Sequence, residues 1–237
     1  MKRFADALDE ALAASGIGLS DSQKDLLVQF YRLVAEGAKD LSLTSIVDPY
    51  EFAVKHVVDS LLPLCRVDVP EGGALVDVGS GAGLPGIPVK IMRPDLQVTL
   101  LESTRKKAAF LRETASEISV SVSVCPMRSE EYGRSLGRER FQWAVSRAVA
   151  SLPVLYEYCL PLLSEGGGFI AFKGPDPSVE IHQGSTALSV LGGELERTVE
   201  YHLPSGMGSR TAIVVRKVHA TPKEYPRPPG RPGKRPL

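Results

Sequence analysis

The stretch that most constrains the fold runs from Ala74 to Gly86: Ala-Leu-Val-Asp-Val-Gly-Ser-Gly-Ala-Gly-Leu-Pro-Gly. Ala74 to Val78 is short and mostly apolar, the pattern of a buried strand. It stops in Gly79-Ser80-Gly81-Ala82-Gly83, where alternate glycines permit positive φ and a close approach of a ligand to the backbone. Pro85 follows where the first turn of a helix tolerates it. Strand, glycine loop and helix in that order begin a nucleotide-type site at the carboxyl end of a parallel strand. A glycine turn of purely structural use is the plainer alternative, but a loop that ends a strand pattern and opens a helix pattern is placed for a ligand. Gly81-x-Gly83-x-x-Gly86 also matches the dinucleotide pattern literally, a weak signal alone. Glu102 ends the apolar run Val98-Thr99-Leu100-Leu101, 19 residues beyond Gly83. An acid there accepts hydrogen bonds from both hydroxyls of a ribose, whichever cofactor carries it.

The rest of the chain fits an alternating α/β pattern around this loop. Phe4, Leu8, Ala11 and Leu12 have helical spacing, stopped by Gly16. Ser20-Asp21-Ser22-Gln23 is a capping-box pattern opening a helix that ends near Gly37. Asp48-Pro49-Tyr50-Glu51 opens a third, with Asp48 as cap, Glu51 reaching back and Pro63 as its end. After the glycine loop, Val98–Leu101 reads as strand, Thr104–Ile118 as helix, Val120–Val124 as strand and Trp143–Val145 as a fourth strand. Leu152–Leu163 then reads as helix, Phe169–Phe172 as a fifth strand and Val179–Leu191 as helix. Glu194–Leu203 and Thr211–Val218 read as a terminal hairpin. Such alternation implies a parallel sheet with right-handed crossovers.

Composition narrows the class. A chain of 237 residues that is 43% hydrophobic and 24% charged is an ordinary globular protein with room for one large core. No apolar run approaches a membrane span, and the N-terminus turns acidic too early for a signal peptide. Cys65, Cys125 and Cys159 are far apart and odd in number, which points to reduced thiols in a cytoplasmic protein and to no metal site. A formal charge of zero argues against non-specific coating of nucleic acid but leaves room for a local basic patch. Residues 221–237 hold six prolines and five basic residues against one acid. That composition is not expected to build a core; it reads either as a solvated end or as a basic arm that meets phosphates.

Taken together, the motifs carry a resemblance. Asp77-x-Gly79-x-Gly81-x-Gly83 at a strand end resembles the first motif of class I methyltransferases that use S-adenosylmethionine (SAM). Leu43-Thr44-Ser45-Ile46-x-Asp48-Pro49, Lys55-His56-x-x-Asp59-Ser60, the run from Val76 to Pro88, Ser146-Arg147-Ala148, Lys173-Gly174 and Tyr225-Pro226-Arg227 come in the order of the bacterial RsmG (GidB) family. The chain resembles that family over nearly its full length. It departs at Ser42, where the family usually has asparagine, and at Ser80, where a threonine is common and the hydroxyl is kept.

The resemblance implies an α/β fold: a class I SAM-methyltransferase (Rossmann-like), mostly parallel seven-stranded sheet. It implies a helical extension over 1–66, a methyltransferase domain over 67–220 and a proline-rich basic tail over 221–237. The implied activity is methylation of N7 of a guanine in the 530 loop of 16S ribosomal RNA. The expected partner is that RNA or the small ribosomal subunit, with no membrane or metal and a monomeric state. Gly79, Gly81, Gly83 and Leu84 are expected along the amino-acid part of SAM, and Asp77 at the loop or the SAM ammonium. Glu102, with Ser103 and Thr104 beside it, is expected at the ribose, though Thr104 serves equally as a helix cap. Ser129 and Glu130 are expected at the adenine. Arg147 ends the fourth strand at the same mouth as Gly79 and is assigned to the cofactor. Arg147 and Lys173 are also the candidates for the reacting centre, Lys173 holding a phosphate or the target base.

His56 reads as a packed helix histidine, because guanine N7 carries a lone pair and no proton and needs no base. RNA contacts are expected from Lys55, Arg105, Lys106, Lys107, Lys173, Arg210, Arg227, Arg231, Lys234 and Arg235. Three other functions stay open on the residues alone. One is an NAD-dependent oxidoreductase, from the literal glycine pattern; another is a non-catalytic RNA-binding ribosome-assembly factor; the third, set aside only by the family resemblance, is a methyltransferase of the same fold with a small-molecule or protein substrate.

Overall fold

The computed structural model describes residues 1–237. Two helices, α1 (Lys2–Ala14) and α2 (Asp21–Leu41), open the chain. The Ser20 hydroxyl accepts from the Gln23 backbone N–H at 3.3 Å, and Gln23 Oε1 accepts from the Ser20 N–H at 2.9 Å. This reciprocal pair satisfies donors the first turn would leave unpaired. Gln23 Nε2 also donates to the carbonyls of Ile91 and Met92, at 2.8 and 3.1 Å. Those carbonyls end α4 (Gly86–Met92), the helix after the glycine loop. One side chain thus starts one helix and finishes another.

A continuous helix, α3, covers 49–61. Asp48 Oδ1 caps it, accepting from Tyr50 and Glu51 at 3.0 and 3.1 Å. Glu51 does not reach back as its spacing predicts. It turns forward to Lys55 Nζ at 2.5 Å, an i,i+4 ion pair, while Asp48 already serves the first turn. The middle of α3, Ala53–Val58, is π-helical and carries Lys55 and His56. Such widened turns occur often at functional sites.

Seven strands follow: β1 (Ala74–Val78), β2 (Gln97–Leu101), β3 (Ser123–Cys125), β4 (Phe141–Arg147), β5 (Leu163–Lys173), β6 (Gly193–His202) and β7 (Ser209–Lys217). Their order is β3-β2-β1-β4-β5-β7-β6. β1 to β5 run parallel, and β7 lies antiparallel between β5 and β6. The helices between them are α5 (Arg105–Glu117), α6 (Ser129–Gly133), α7 (Leu152–Cys159), α8 (Ser178–Gln183) and α9 (Ser185–Val190), with a last turn, α10 (Arg231–Lys234).

Several element boundaries differ from the sequence expectation. β3 pairs only over Ser123–Cys125, because just that stretch reaches the end of β2, while Val120 and Val122 pack on the core before pairing starts. β5 begins at Leu163 rather than Phe169, running through Gly166–Gly168. The helix expected over 179–191 is divided at Gly184, where a Cβ would lie 2.7 Å from the Tyr156 ring.

Leu75 of β1 packs with Phe4, Phe30 and Phe52 on one face of the sheet, and Val76 and Val78 pack with Leu152 and Tyr156 on the other. Burial on both faces explains why β1 reads as a nearly continuous apolar run. The N-terminal helices close one face, so their side chains and the sheet form a common core.

The tail corrects its expectation most strongly. Residues 221–237 lie folded on the protein, with Thr221 and Pro232 buried. Prolines lack N–H groups but keep their carbonyls, and those need donors. Arg138 donates to the carbonyls of Pro222 and of its neighbours Thr221 and Tyr225, and Arg134 to those of Pro226 and Glu224.

Candidate active site

The strand order reverses between β1 and β4, and in open α/β sheets ligands bind outside the carboxyl ends at that switch point. The glycine loop sits there. Its backbone is tied to β2, with Gly79 N and Ser80 N both donating to Leu101 O. Gly79 has φ +78°, and a Cβ at this position would come within 2.4 Å of Val149 Cγ2. Glycine is therefore needed on both conformational and steric grounds.

Two cavities open at this end of the sheet. The first, about 400 Å³, is lined by Gly79, Ser103, Met127, Ser129, Glu130, Val149, Tyr158 and Gly233 among others. Glu102, 7% exposed, directly follows β2, between Leu101 and Ser103, which line this cavity; it is not itself part of the lining. One Glu102 oxygen accepts from Gly81 N at 3.0 Å and the other from Thr104 N at 2.7 Å. Each oxygen keeps a further lone pair, enough for both hydroxyls of a ribose. Ser129 donates to Tyr158 O, and Glu130 accepts from Gly230 N of the tail at 2.9 Å.

The second cavity, about 380 Å³, is lined by Lys55, His56, Asp59, Arg147, Lys173, Tyr201 and Arg210 among others. Asp59 is 5% exposed and bonded through both oxygens, to Arg147 Nη1 at 3.0 Å and to the Tyr201 hydroxyl at 2.9 Å. Burial, and then the Asp59 charge, hold the Tyr201 phenol well above its usual range. Arg147 spends only Nη1 on Asp59 and the carbonyls of Lys55 and His56, which leaves Nη2 and Nε free for a ligand. His56 Nε2 lies 2.7 Å from the Thr44 hydroxyl and Nδ1 3.1 Å from Lys55 O. Burial, and then the Arg147 charge, push its pKa down to about 4, so the ring is neutral near pH 7. Lys173 Nζ donates to Ala150 O and pairs with Glu180 at 2.7 Å. The same Glu180 oxygen accepts from Leu152 N, which staples the segment after β4.

That segment divides the two cavities. Arg147 and Ala148 line one, and Val149, Ala150 and Ser151 line the other. Arg147 therefore stands in the second cavity, not beside Gly79. Of the residues expected at the cofactor, Asp77, Gly81, Gly83, Leu84, Glu102 and Thr104 line neither cavity, and Asp77 and Leu84 are buried beneath the loop. Asp77 Oδ2 accepts from Gly86 N at 3.0 Å, bracing the loop against α4, while Oδ1 has no partner. Burial raises its pKa to about 7 against the lowering effect of the Gly86 N–H.

Arg105, Lys106 and Lys107 open α5 with no ion-pair partner, as do Arg231, Lys234 and Arg235 on the tail. Arg227 is different. Its fork closes on Glu157, so it is not available to RNA as expected. The spacing arguments missed Val149, Tyr158, Gly233, Asp59, Tyr201 and Glu157. Two of them left a sign: Asp59 stands in the motif Lys55-His56-x-x-Asp59-Ser60, which by itself gives it no role, and Glu157 is a single acid in the otherwise apolar helix α7 and needs a partner.

A nicotinamide-binding sheet of this order would be parallel to its edge. Insertion of β7 antiparallel between β5 and β6, with the glycine loop at the switch point, is the sheet arrangement of the class I SAM-methyltransferase fold. Solved structures agree on the fold. A SAM-dependent O-methyltransferase from Thermotoga maritima matches with a TM-score of 0.51 at 17% identity, over 80% of this chain and 72% of that one. TrmN from Thermus thermophilus matches with a TM-score of 0.52 at 18% identity, over 67% and 48%.

Sequence relatives carry the assignment further. The family model described as rRNA small subunit methyltransferase G matches residues 23–208. Proteins named ribosomal RNA small subunit methyltransferase G are similar over the full length. The one from Pelotomaculum thermopropionicum is 42% identical, covering 100% of both chains, and one from Staphylococcus epidermidis is 40% identical, covering 97% of both. The chain belongs to the rRNA small subunit methyltransferase G (GidB) family, and its cofactor is SAM. No helix is long and apolar enough to cross a membrane.

Proposed function

We propose that the protein methylates N7 of a guanine in the 530 loop of 16S ribosomal RNA, with SAM in the first cavity and the guanine in the second. The residues of the first cavity suit the cofactor. The glycine at position 79 leaves a cradle that a Cβ would fill, and Glu102, next to the cavity-lining Ser103, keeps lone pairs for a ribose. Gly79 and Gly81 hold the amino-acid end, Glu102 and Ser103 the ribose, and Ser129, Glu130 and Met127 the adenine. When bound, SAM supplies an electrophilic methyl group on its sulfonium.

The observation that supports the choice of nucleophile is that the acid and the histidine lining the second cavity are both tied to other groups of the protein. Both oxygens of Asp59 are engaged, and His56 is neutral with both nitrogens in contact. That arrangement suits an atom that attacks without losing a proton, as guanine N7 does. Arg147, through its free Nη2 and Nε, donates to the guanine O6 and keeps N7 clear. Lys173 holds the 147–151 segment, which presents Arg147 to the base and Val149 to the cofactor, so acceleration comes from alignment and exclusion of water. The unpaired Arg105, Lys106, Lys107, Arg231, Lys234 and Arg235 meet phosphates of an RNA loop whose guanine is unstacked.

The test is transfer of labelled methyl from SAM to small ribosomal subunits, or to their deproteinised RNA, from a strain lacking this protein. The modified base is identified by digestion and mass spectrometry. Label on N7 of one loop guanine is the expected result. Label on another atom or another RNA refutes the reading.

A further inference from the structure

The tail reaches the cofactor cavity. Arg227 closes on Glu157 of α7 with Nε at 2.9 and 3.0 Å and Nη2 at 2.6 Å, and the Arg227 backbone N–H donates to the same carboxylate at 2.6 Å. Glu157 is 1% exposed and has no other side-chain partner. A carboxylate so buried is stable only when paired, and a bidentate fork with an added N–H is the strongest such pairing. The chain then turns at Gly230, φ +77°, whose N–H donates to Glu130. Gly233, three residues on, is part of the wall of the first cavity beside Tyr158 and Glu130. Pro232 is buried, while Arg231, Lys234 and Arg235 face solvent. The segment after Arg227 therefore has an inner face that completes the cavity, and the Arg227–Glu157 pair is the last side-chain anchor before it.

We infer that Arg227 and Glu157 are positioning residues for cofactor binding: their ion pair holds residues 228–235 as one wall of the SAM cavity. The inference rests on the reading that the first cavity is the SAM site. If the unpinned wall is in place only about a tenth of the time, the apparent Kd for SAM rises about tenfold, while the chemistry of the loaded enzyme is unaltered.

The full-length protein is titrated with SAM by calorimetry, and methyl transfer is measured at saturating RNA. The double variant Arg227→Met, Glu157→Met removes both charges and leaves no orphaned carboxylate in α7. Its KM and Kd for SAM are expected to rise about tenfold with kcat unchanged, a split that loss of stability alone does not produce. Gly233→Leu adds bulk to the cavity wall where a Cβ meets only the Tyr158 hydroxyl at 3.8 Å. It should weaken SAM binding with an unaltered melting temperature. If the double variant does not fold, Arg227→Lys decides, since a point charge replaces the fork: a Kd raised several-fold supports the pin. A wild-type Kd in the folded double variant, or in Arg227→Lys when the double variant is unfolded, overturns the inference. Ser103→Trp, which puts bulk into the first cavity itself, separates the two readings. If it weakens SAM binding and the tail variants do not, the cavity stands and the pin falls; if none of them alters Kd, the cavity is misassigned.

Discussion

His56 offers a sharp test of the electrostatics of the second cavity. Its native pKa is near 4 against an ordinary 6.5, because burial and the neighbouring Arg147 both oppose the imidazolium. The native value is the lower one, so this contribution to stability is complete above pH 6.5 and is lost as pH falls toward 4. Between pH 7 and 5 the unfolded chain binds most of a proton at this site and the native chain almost none. At about 1.4 kcal/mol per pKa unit over the roughly 1.5 units from 6.5 to 5, the loss is about 2 kcal/mol. The wild-type profile alone does not reveal it. Asp77 runs the other way, with its native pKa raised from 3.8 to about 7, so it favours the native state as pH falls over the same range. The two effects largely cancel. The difference between wild type and His56→Gln removes Asp77 from the comparison. Urea unfolding at pH 7 and pH 5 is expected to show that difference changing by about 2 kcal/mol in favour of the variant at low pH. A difference constant to within about 0.5 kcal/mol would show that His56 titrates normally and that the cavity is wetter than its hydrogen bonds imply.

Three further outcomes follow from the same geometry. Gly79→Ala places a Cβ 2.4 Å from Val149 Cγ2 at a φ of +78°, so it should weaken SAM binding at least about tenfold, with partial rescue by Val149→Ala in calorimetry. Arg147→Ala leaves Asp59 buried and unpaired and should cost about 3 kcal/mol in unfolding experiments, whereas Arg147→Lys keeps the charge, folds, binds SAM normally and fails in methyl transfer for want of the fork. Replacing Arg231, Lys234 and Arg235 together by alanine should reduce the slope of log K against log salt for RNA binding by up to about 2, at roughly 0.7 per phosphate on a single strand. An unchanged slope would mean that the outer face of the tail does not meet RNA.

The glycine cradle and the acid at the end of β2 fix where any ligand must begin, while the identity of the second ligand depends on groups contributed by distant segments. The second cavity takes Lys55, His56 and Asp59 from α3, Arg147 from β4, Lys173 from β5, and Tyr201 and Arg210 from the hairpin. Asp59 is the centre of that assembly. It joins the N-terminal helices to the parallel sheet through Arg147 and to the hairpin through Tyr201, so a shift of α3 would reach the second cavity directly.

Local chemistry made much of this legible in advance. The run from Ala74 to Gly86 needs only its own φ preferences and hydrophobic pattern to declare a strand, a ligand loop and a helix, and Ser20 with Gln23 declares a helix start. The alternation of apolar runs after Leu101 declares an α/β sheet. Those signals are short-ranged, because backbone conformation and capping are settled within a few residues. What the amino-acid order could not settle depends on which distant groups meet. Arg227 and Arg231 look alike in a basic, proline-rich tail, yet one is locked on Glu157, 70 residues earlier, and the other is free. Arg147 ends its strand at the mouth of Gly79, but the turn after it carries Val149 toward the glycine and leaves the arginine with Asp59. Burial of a carboxylate decides where an arginine goes, since an unpaired charge in the core costs several kcal/mol while a solvated one costs almost nothing, and burial is a property of the packed chain.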